Sequence, residues 1–207
     1  TDPGRMTING ATIGDVHNYG ALTVNGVVQK SSNVGPVKIA QRMSRQDMWE
    51  NFRKVGLGQK PDLPFPGIAS GRLRPWKSWR PIEHATMSYG YGLSTSLFQI
   101  TRAYSVFARD GELMPLSLLK VDDTPPRGVR VFSPQTTREL RMMLEMAVQP
   151  EGTAPKARVP GYRVGGKTGT AHKIEGGVYA RKYVASFVGI APISDPRLVV
   201  AVMIDEP

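Results

Sequence analysis

Residues 165–172, Gly165-Gly166-Lys167-Thr168-Gly169-Thr170-Ala171-His172, sit where this 207-residue chain changes character. Before Gly161 the apolar residues recur at helical spacing; beyond it they follow the period of extended chain. Residues 162–164 and 167–172 read as one glycine-interrupted strand. Glu175-Gly176-Gly177 marks a hairpin turn, 183–190 a second strand, and 198–204, behind Asp195-Pro196, a third. Three strands in succession make an antiparallel meander.

Upstream the pattern is helical. Thr23 can cap a short helix carrying Val24, Val27 and Val28; it runs out near Lys30 and leaves Ser31-Ser32-Asn33 at its end. Gly35-Pro36 opens a second helix, with Pro36 in the first turn, where its missing N–H costs nothing. Ser44-Arg45-Gln46-Asp47 reads as a capping box before Met48, Trp49 and Phe52, and Gly56 as a stop. Residues 58–81, with Pro61, Pro64, Pro66, Pro75 and Pro81, read as a long irregular loop and not as a packed element. Ser94 or Thr95 caps the next helix, whose Leu97, Ile100, Tyr104 and Phe107 share one face. Another follows Ser133-Pro134, with Leu140, Met143, Leu144, Ala147 and Val148 as its stripe. The methionines in it read as core filling. Residues 1–20 read as an extended or hairpin lead-in. Helices precede strands, so the class is α+β: a helical cluster plus an antiparallel sheet.

Composition narrows the chemistry. The chain is long enough to bury roughly 70% of its unfolded surface without staples. It has no cysteine, which excludes a disulfide framework, a thiol nucleophile and a thiolate zinc site. Its longest apolar stretch, 198–204, falls well short of the ~20 residues of a membrane helix. Lys+Arg 27 against Asp+Glu 17 gives a net charge of +10. The basic residues come in ones and twos, as at Arg72/Arg74, Lys77/Arg80, Arg138/Arg141 and Arg181/Lys182. That is a solvated basic surface rather than a nucleic-acid motif. His17, His84 and His172 lie too far apart for a local metal site. Asp122-Asp123, beside Thr124-Pro125-Pro126, reads as a loop and forms no glycosidase carboxylate pair.

Two motifs carry chemistry. In Lys167-Thr168-Gly169-Thr170 a cation and two hydroxyls stand on or beside a strand edge. Gly169 would let a ligand backbone lie along that edge with no Cβ in the way. Such an edge suits a peptide-like substrate ending in a carboxylate. In Ser31-Ser32-Asn33, Ser31 can relay a proton, and Asn33 can hold a lysine or a substrate amide through its two-ended side chain. Tyr91, between Gly90 and Gly92, can wall a cleft or pack in the core. S-x-N followed by K-T-G on a strand is far more specific than either motif alone.

With these motifs in place, Leu22-Thr23-Val24-Asn25-Gly26-Val27-Val28-Gln29-Lys30-Ser31-Ser32-Asn33-Val34-Gly35 resembles the second-motif region of septal class B penicillin-binding proteins, the division-specific peptidoglycan D,D-transpeptidases. Tyr89-Gly90-Tyr91-Gly92-Leu93, Lys167-Thr168-Gly169-Thr170-Ala171-His172-Lys173 and residues 199–207 resemble the same family. The resemblance implies a penicillin-recognising serine-transferase fold, with catalytic roles for Ser31, Asn33 and Lys167. Ser31 would pass a proton toward the leaving D-alanine, Asn33 would orient the donor amide and the catalytic lysine, and Lys167 would tune Ser31. Thr168, Gly169, Thr170 and Tyr91 would bind the stem peptide or a β-lactam. Thr168 and Thr170 would take its carboxylate, and the Thr170 N–H would form half of an oxyanion hole. No cofactor or metal is implied. The partners implied are the D-Ala-D-Ala donor, an amine acceptor, β-lactam antibiotics and divisome membrane proteins, not nucleic acid. The place implied is the periplasmic face of the bacterial inner membrane, with the anchor outside these residues.

One departure is sharp. In the family an S-x-x-K bearing the nucleophilic serine precedes S-x-N, and nothing in 1–30 fits it. The chain's S-x-x-K, Ser117-Leu118-Leu119-Lys120, comes after S-x-N and reads as extended chain. Residues 1–207 are therefore expected to be a partial transpeptidase domain, cut from a longer protein, without the upstream S-x-x-K segment and the C-terminal covering helix. The strand at 198–204, apolar at every position, is expected to be buried on both faces. One face should rest chiefly on 140–148 and the other on segments outside the chain. The alternatives are a non-catalytic fragment that binds peptidoglycan or the divisome, and a serine β-lactamase. The β-lactamase is disfavoured because no E-x-x-L-N supplies a deacylating base.

Overall fold

In the computed structural model, which describes residues 1, 3–121, 124 and 126–207, the chain opens with a hairpin. Strands β1 (Arg5–Ile8) and β2 (Ala11–Gly14) pair around Asn9-Gly10, both at positive φ, as a two-residue hairpin turn requires. Four helices follow: α1 (Val24–Lys30), α2 (Val34–Ala40), α3 (Arg45–Lys54) and α4 (Pro81–Met87). Thr23 caps α1 as expected, and Ser44 and Asp47 form the reciprocal capping box of α3. Asp122-Asp123 lies outside the described residues.

The proline-rich stretch is a packed element, contrary to the sequence reading. Trp79 is 1% exposed, and Leu73 and Trp76 pack with it against Ala40, Met48 and Met87. Trp79 Nε1 donates to the Arg74 carbonyl at 3.0 Å, which satisfies the one polar atom of the buried ring. Proline correctly forecast the absence of long regular structure. It said nothing about burial, which the aromatic residues between the prolines decide. Pro81 also opens α4, a helix absent from the sequence reading, and Glu83 closes its first turn by accepting from the Arg80 N–H at 2.7 Å.

Helix α5 (Leu97–Ala108) is capped by Ser96, one residue past the two candidates named above. The signal was Gln99, three residues on, which completes a capping box. Gln99 is buried, and its Nε2 also donates to the Gln59 and Ser70 carbonyls at 2.8 Å each, stapling the proline-rich stretch to α5. A small ribbon pairs β3 (Glu112–Leu113) with β4 (Val129–Arg130), and α6 (Pro134–Ala147) starts at its Ser133 cap.

The meander is β5 (Gly165–Glu175), β6 (Val178–Ala191) and β7 (Leu198–Asp205), antiparallel in that order. Residues 162–164 are not part of β5. Tyr162 instead bridges Val159 around the Pro160-Gly161 turn, with Gly161 at positive φ. The inner sheet face meets the helices around Leu144, Ile190, Ile193, Tyr104, Phe107 and Val199. Here the expected cover is corrected. Helix α5 lies under β7, while α6, which carries the 140–148 stripe, lies against β5. Among the described residues only one face of β7 is covered. Leu198, Val200, Val202 and Ile204 on the other face are 62%, 55%, 49% and 54% exposed.

Candidate active site

Helix α1 ends because Ser31 turns left-handed, at φ 54°, ψ 44°. A non-glycine residue rarely holds that conformation unless its surroundings impose it. The imposing residue is Asp15, just after β2. Its Oδ1 accepts from the Asn33 and Val34 backbone N–H groups at 2.5 and 2.9 Å, and its Oδ2 accepts from Ser32 Oγ at 2.8 Å. Ser32 is 4% exposed, and its hydroxyl accepts in turn from the Gly35 N–H at 2.9 Å. Gly35 has no room for a side chain, since a Cβ would lie 2.5 Å from Val27 Cγ2, so α2 packs tightly on α1. The Asn33 side chain donates to the Gly14 carbonyl at 3.0 Å. The turn is thus fixed from below by the first hairpin.

The opposite wall is β5. Among the described residues, the order β5-β6-β7 leaves one edge of β5 without a strand partner, and Lys167 pairs with Val188 in the inner-face register. Lys167 therefore emerges at the seam between sheet and helices. Its Nζ donates to Ser31 Oγ at 2.5 Å and to the Thr168 carbonyl at 3.1 Å. Burial disfavours the charged form and pulls its pKa from the ordinary 10.5 down to about 8. Thr168 points to the other face, where its hydroxyl meets that of Thr153 at 3.0 Å. Gly169 has a further use within the sheet, since a Cβ there would lie 2.6 Å from Ser186 Oγ on the neighbouring strand.

Between the walls lies a cleft of about 640 Å³. Ser31, Asn33, Lys167, Thr168, Gly169, Thr170 and Tyr91 all line it. Tyr91 Oη accepts from the His172 backbone N–H at 3.2 Å, and its ring meets Tyr89 and Tyr179 edge-on at 5.8 and 5.5 Å. That settles the choice left open for Tyr91, which is a wall residue. Tyr104 lines the cleft too, and burial pushes its phenol up to about 12, so it stays neutral. Ser117 lies elsewhere, in a turn outside any helix, with its hydroxyl closed onto Leu119. Asp15 and Thr153 were missed by the sequence reading. Asp15 carried a weak signal as an acidic residue ending a hairpin, whereas Thr153 carried none.

Comparison with known proteins accords with this geometry. The family model described as "Penicillin binding protein transpeptidase domain" matches residues 2–207. The chain is 46% identical over 201 residues to PenA of Neisseria gonorrhoeae, covering 97% of this chain and 34% of that protein. It is 41% identical over 201 residues to the peptidoglycan D,D-transpeptidase FtsI of Escherichia coli, again 97% of this chain and 34% of that protein. The chain thus spans about a third of the length of these curated relatives. The apo transpeptidase domain of penicillin-binding protein 3 from Burkholderia pseudomallei superposes with a TM-score of 0.96 at 60% identity, over 99% of this chain and 62% of that one. The fold is that of the penicillin-recognising serine enzymes. Because the family match takes in both walls of the cleft and all three strands of the meander, the chain belongs to the penicillin-binding protein transpeptidase domain family.

Proposed function

We propose that the chain forms the S-x-N and K-T-G walls of a septal peptidoglycan D,D-transpeptidase, and that β-lactams acylate the protein at this cleft. The observation that carries the reading is the 2.5 Å contact of Lys167 Nζ with Ser31 Oγ, which joins two motifs 136 residues apart in sequence. In this reading a nucleophilic serine outside residues 1–207 attacks the carbonyl of the penultimate D-alanine. An ester forms, the C–N bond to the terminal D-alanine breaks, and Ser31 passes the serine proton to the leaving amine. An acceptor amine then attacks the ester, makes the cross-linking amide and returns the proton to the serine. A β-lactam enters the first step, but its leaving amine stays tethered.

Lys167 holds Ser31 in place and sets the field around it. Thr168 and Thr170 take the substrate carboxylate, Gly169 keeps that strand flush, and Tyr91 walls the substrate's far end. Asn33 orients the donor amide and the catalytic lysine, and the Thr170 N–H contributes to the oxyanion hole. No metal or organic cofactor is called on. The place of action would be the periplasmic face of the inner membrane, among divisome membrane proteins. The test uses the full-length protein. Penicillin should add once per molecule, a pentapeptide donor should release D-alanine, and depletion in cells should block septation while elongation continues. Stem-peptide binding without acylation would sink the enzymatic reading in favour of a binding module.

A further inference from the structure

Lys30 is the last residue of α1, and the function proposed above gives it no task. Among the described residues its ammonium reaches for no carboxylate. Nζ donates to the Glu151 backbone carbonyl at 2.7 Å, in the turn that follows α6, 121 residues away in sequence. Both ends of this bond bear on the cleft. Lys30 immediately precedes Ser31, whose left-handed backbone needs restraint from its neighbours, and Asp15 restrains only the far side of the turn. Glu151 stands two residues before Thr153, whose hydroxyl meets that of Thr168 at 3.0 Å. Lys30 and Thr153 themselves line the cleft.

We propose that Lys30 is a positioning residue, a strut that fixes the distance between the Ser31–Lys167 pair and the hydroxyls of Thr168 and Thr170. Through Thr153 it would govern how well the site recognises a substrate carboxylate. The bond takes a backbone carbonyl, so the Glu151 side chain is not required. What is required is a long cationic donor at position 30: its charge also suits the C-terminal end of α1 and the exposed carbonyls after α6. The inference rests on the transpeptidase reading of the cleft.

The test compares acylation of the full-length protein by a penicillin with a free carboxylate and by its methyl ester. The unmodified protein should prefer the free acid. Lys30→Met should lower that preference by about threefold to tenfold, the size expected for losing one partly exposed charged hydrogen bond, and Lys30→Arg should restore it. Thr153→Val, at an exposed position, should lower the preference similarly, and the double variant should lose little more than either single one. Glu151→Gln should leave it unchanged. An unchanged preference in Thr153→Val, or equal losses on both compounds in Lys30→Met, overturns the strut. Should Lys30→Met fail to fold, the Thr153→Val result decides. Lys167→Ala, run alongside, separates the two levels. If acylation survives it, the cleft has been misread, whereas its loss together with an unchanged Lys30→Met preference condemns the strut alone.

Discussion

The two walls of the cleft are built by different physics. The Ser31-Ser32-Asn33 wall is a strained turn whose shape comes from a remote carboxylate, Asp15, through three hydrogen bonds. The Lys167-Thr168-Gly169-Thr170 wall is a strand whose shape comes from pairing with β6, residue by residue. A ladder spreads its restraint over many bonds, so a local change should stay local. A clamp concentrates it in one side chain, so losing that chain should release the whole turn.

The largest effect is expected where the walls meet. In the full-length protein, Lys167→Ala should slow acylation by about 10²–10³-fold, the usual cost of ~2.7–4 kcal/mol for one preorganised electrostatic group, with melting little changed. A parental acylation rate would remove Lys167 from the site. Next comes the clamp. Asp15→Ala leaves the buried Ser32 hydroxyl and two N–H donors without their acceptor, so about 1–3 kcal/mol of stability should be lost. Acylation should fall with it. If thermal unfolding shifts but acylation holds, the turn does not depend on Asp15 for its active shape, and the contrast between the walls fails.

The third expectation concerns pH. With its pKa pulled to about 8 by burial, Lys167 loses its positive charge as pH rises through that value. Acylation that depends on the cation should fall about tenfold by one unit above it, and the residual activity of Lys167→Ala should lack this limb. The folded state also binds fewer protons here than the unfolded state between about 8 and 10.5. Stability relative to Lys167→Met should therefore rise with pH across that window. Denaturant melts of both proteins at several pH values give the comparison, and a difference that stays flat would contradict the burial.

Smaller effects belong to the ladder. Gly169→Ala brings a Cβ to 2.6 Å from Ser186 Oγ, so it should cost about 1 kcal/mol through overpacking. Adding Ser186→Ala should recover most of it. A loss as large as that of Asp15→Ala, unrelieved by the second change, would show that the strand wall is as brittle as the turn. Smallest of all, Ser117→Ala should leave acylation unchanged, because among the described residues Ser117 bonds only to its own turn.

Much of this molecule was legible in its residues. The caps at Thr23, Ser44 and Ser133, the glycine pair at the β5–β6 turn and the three-strand meander follow from local backbone preferences, which act within a few residues and survive in any context. Residues of the candidate site were legible where motif spacing marked them, as at Ser31-Ser32-Asn33 and Lys167-Thr168-Gly169-Thr170, which line one cleft. Tertiary structure decided what local preference cannot reach. It buried Trp79 in a proline-rich stretch, put α5 rather than α6 under β7, and gave Gly169 its use against Ser186. It also brought Asp15 beneath Ser32, and Lys30 to Glu151. Each of these depends on which distant atoms share a small volume. That is fixed by packing the whole chain at once, because no single segment carries the free energy of a contact it makes with another.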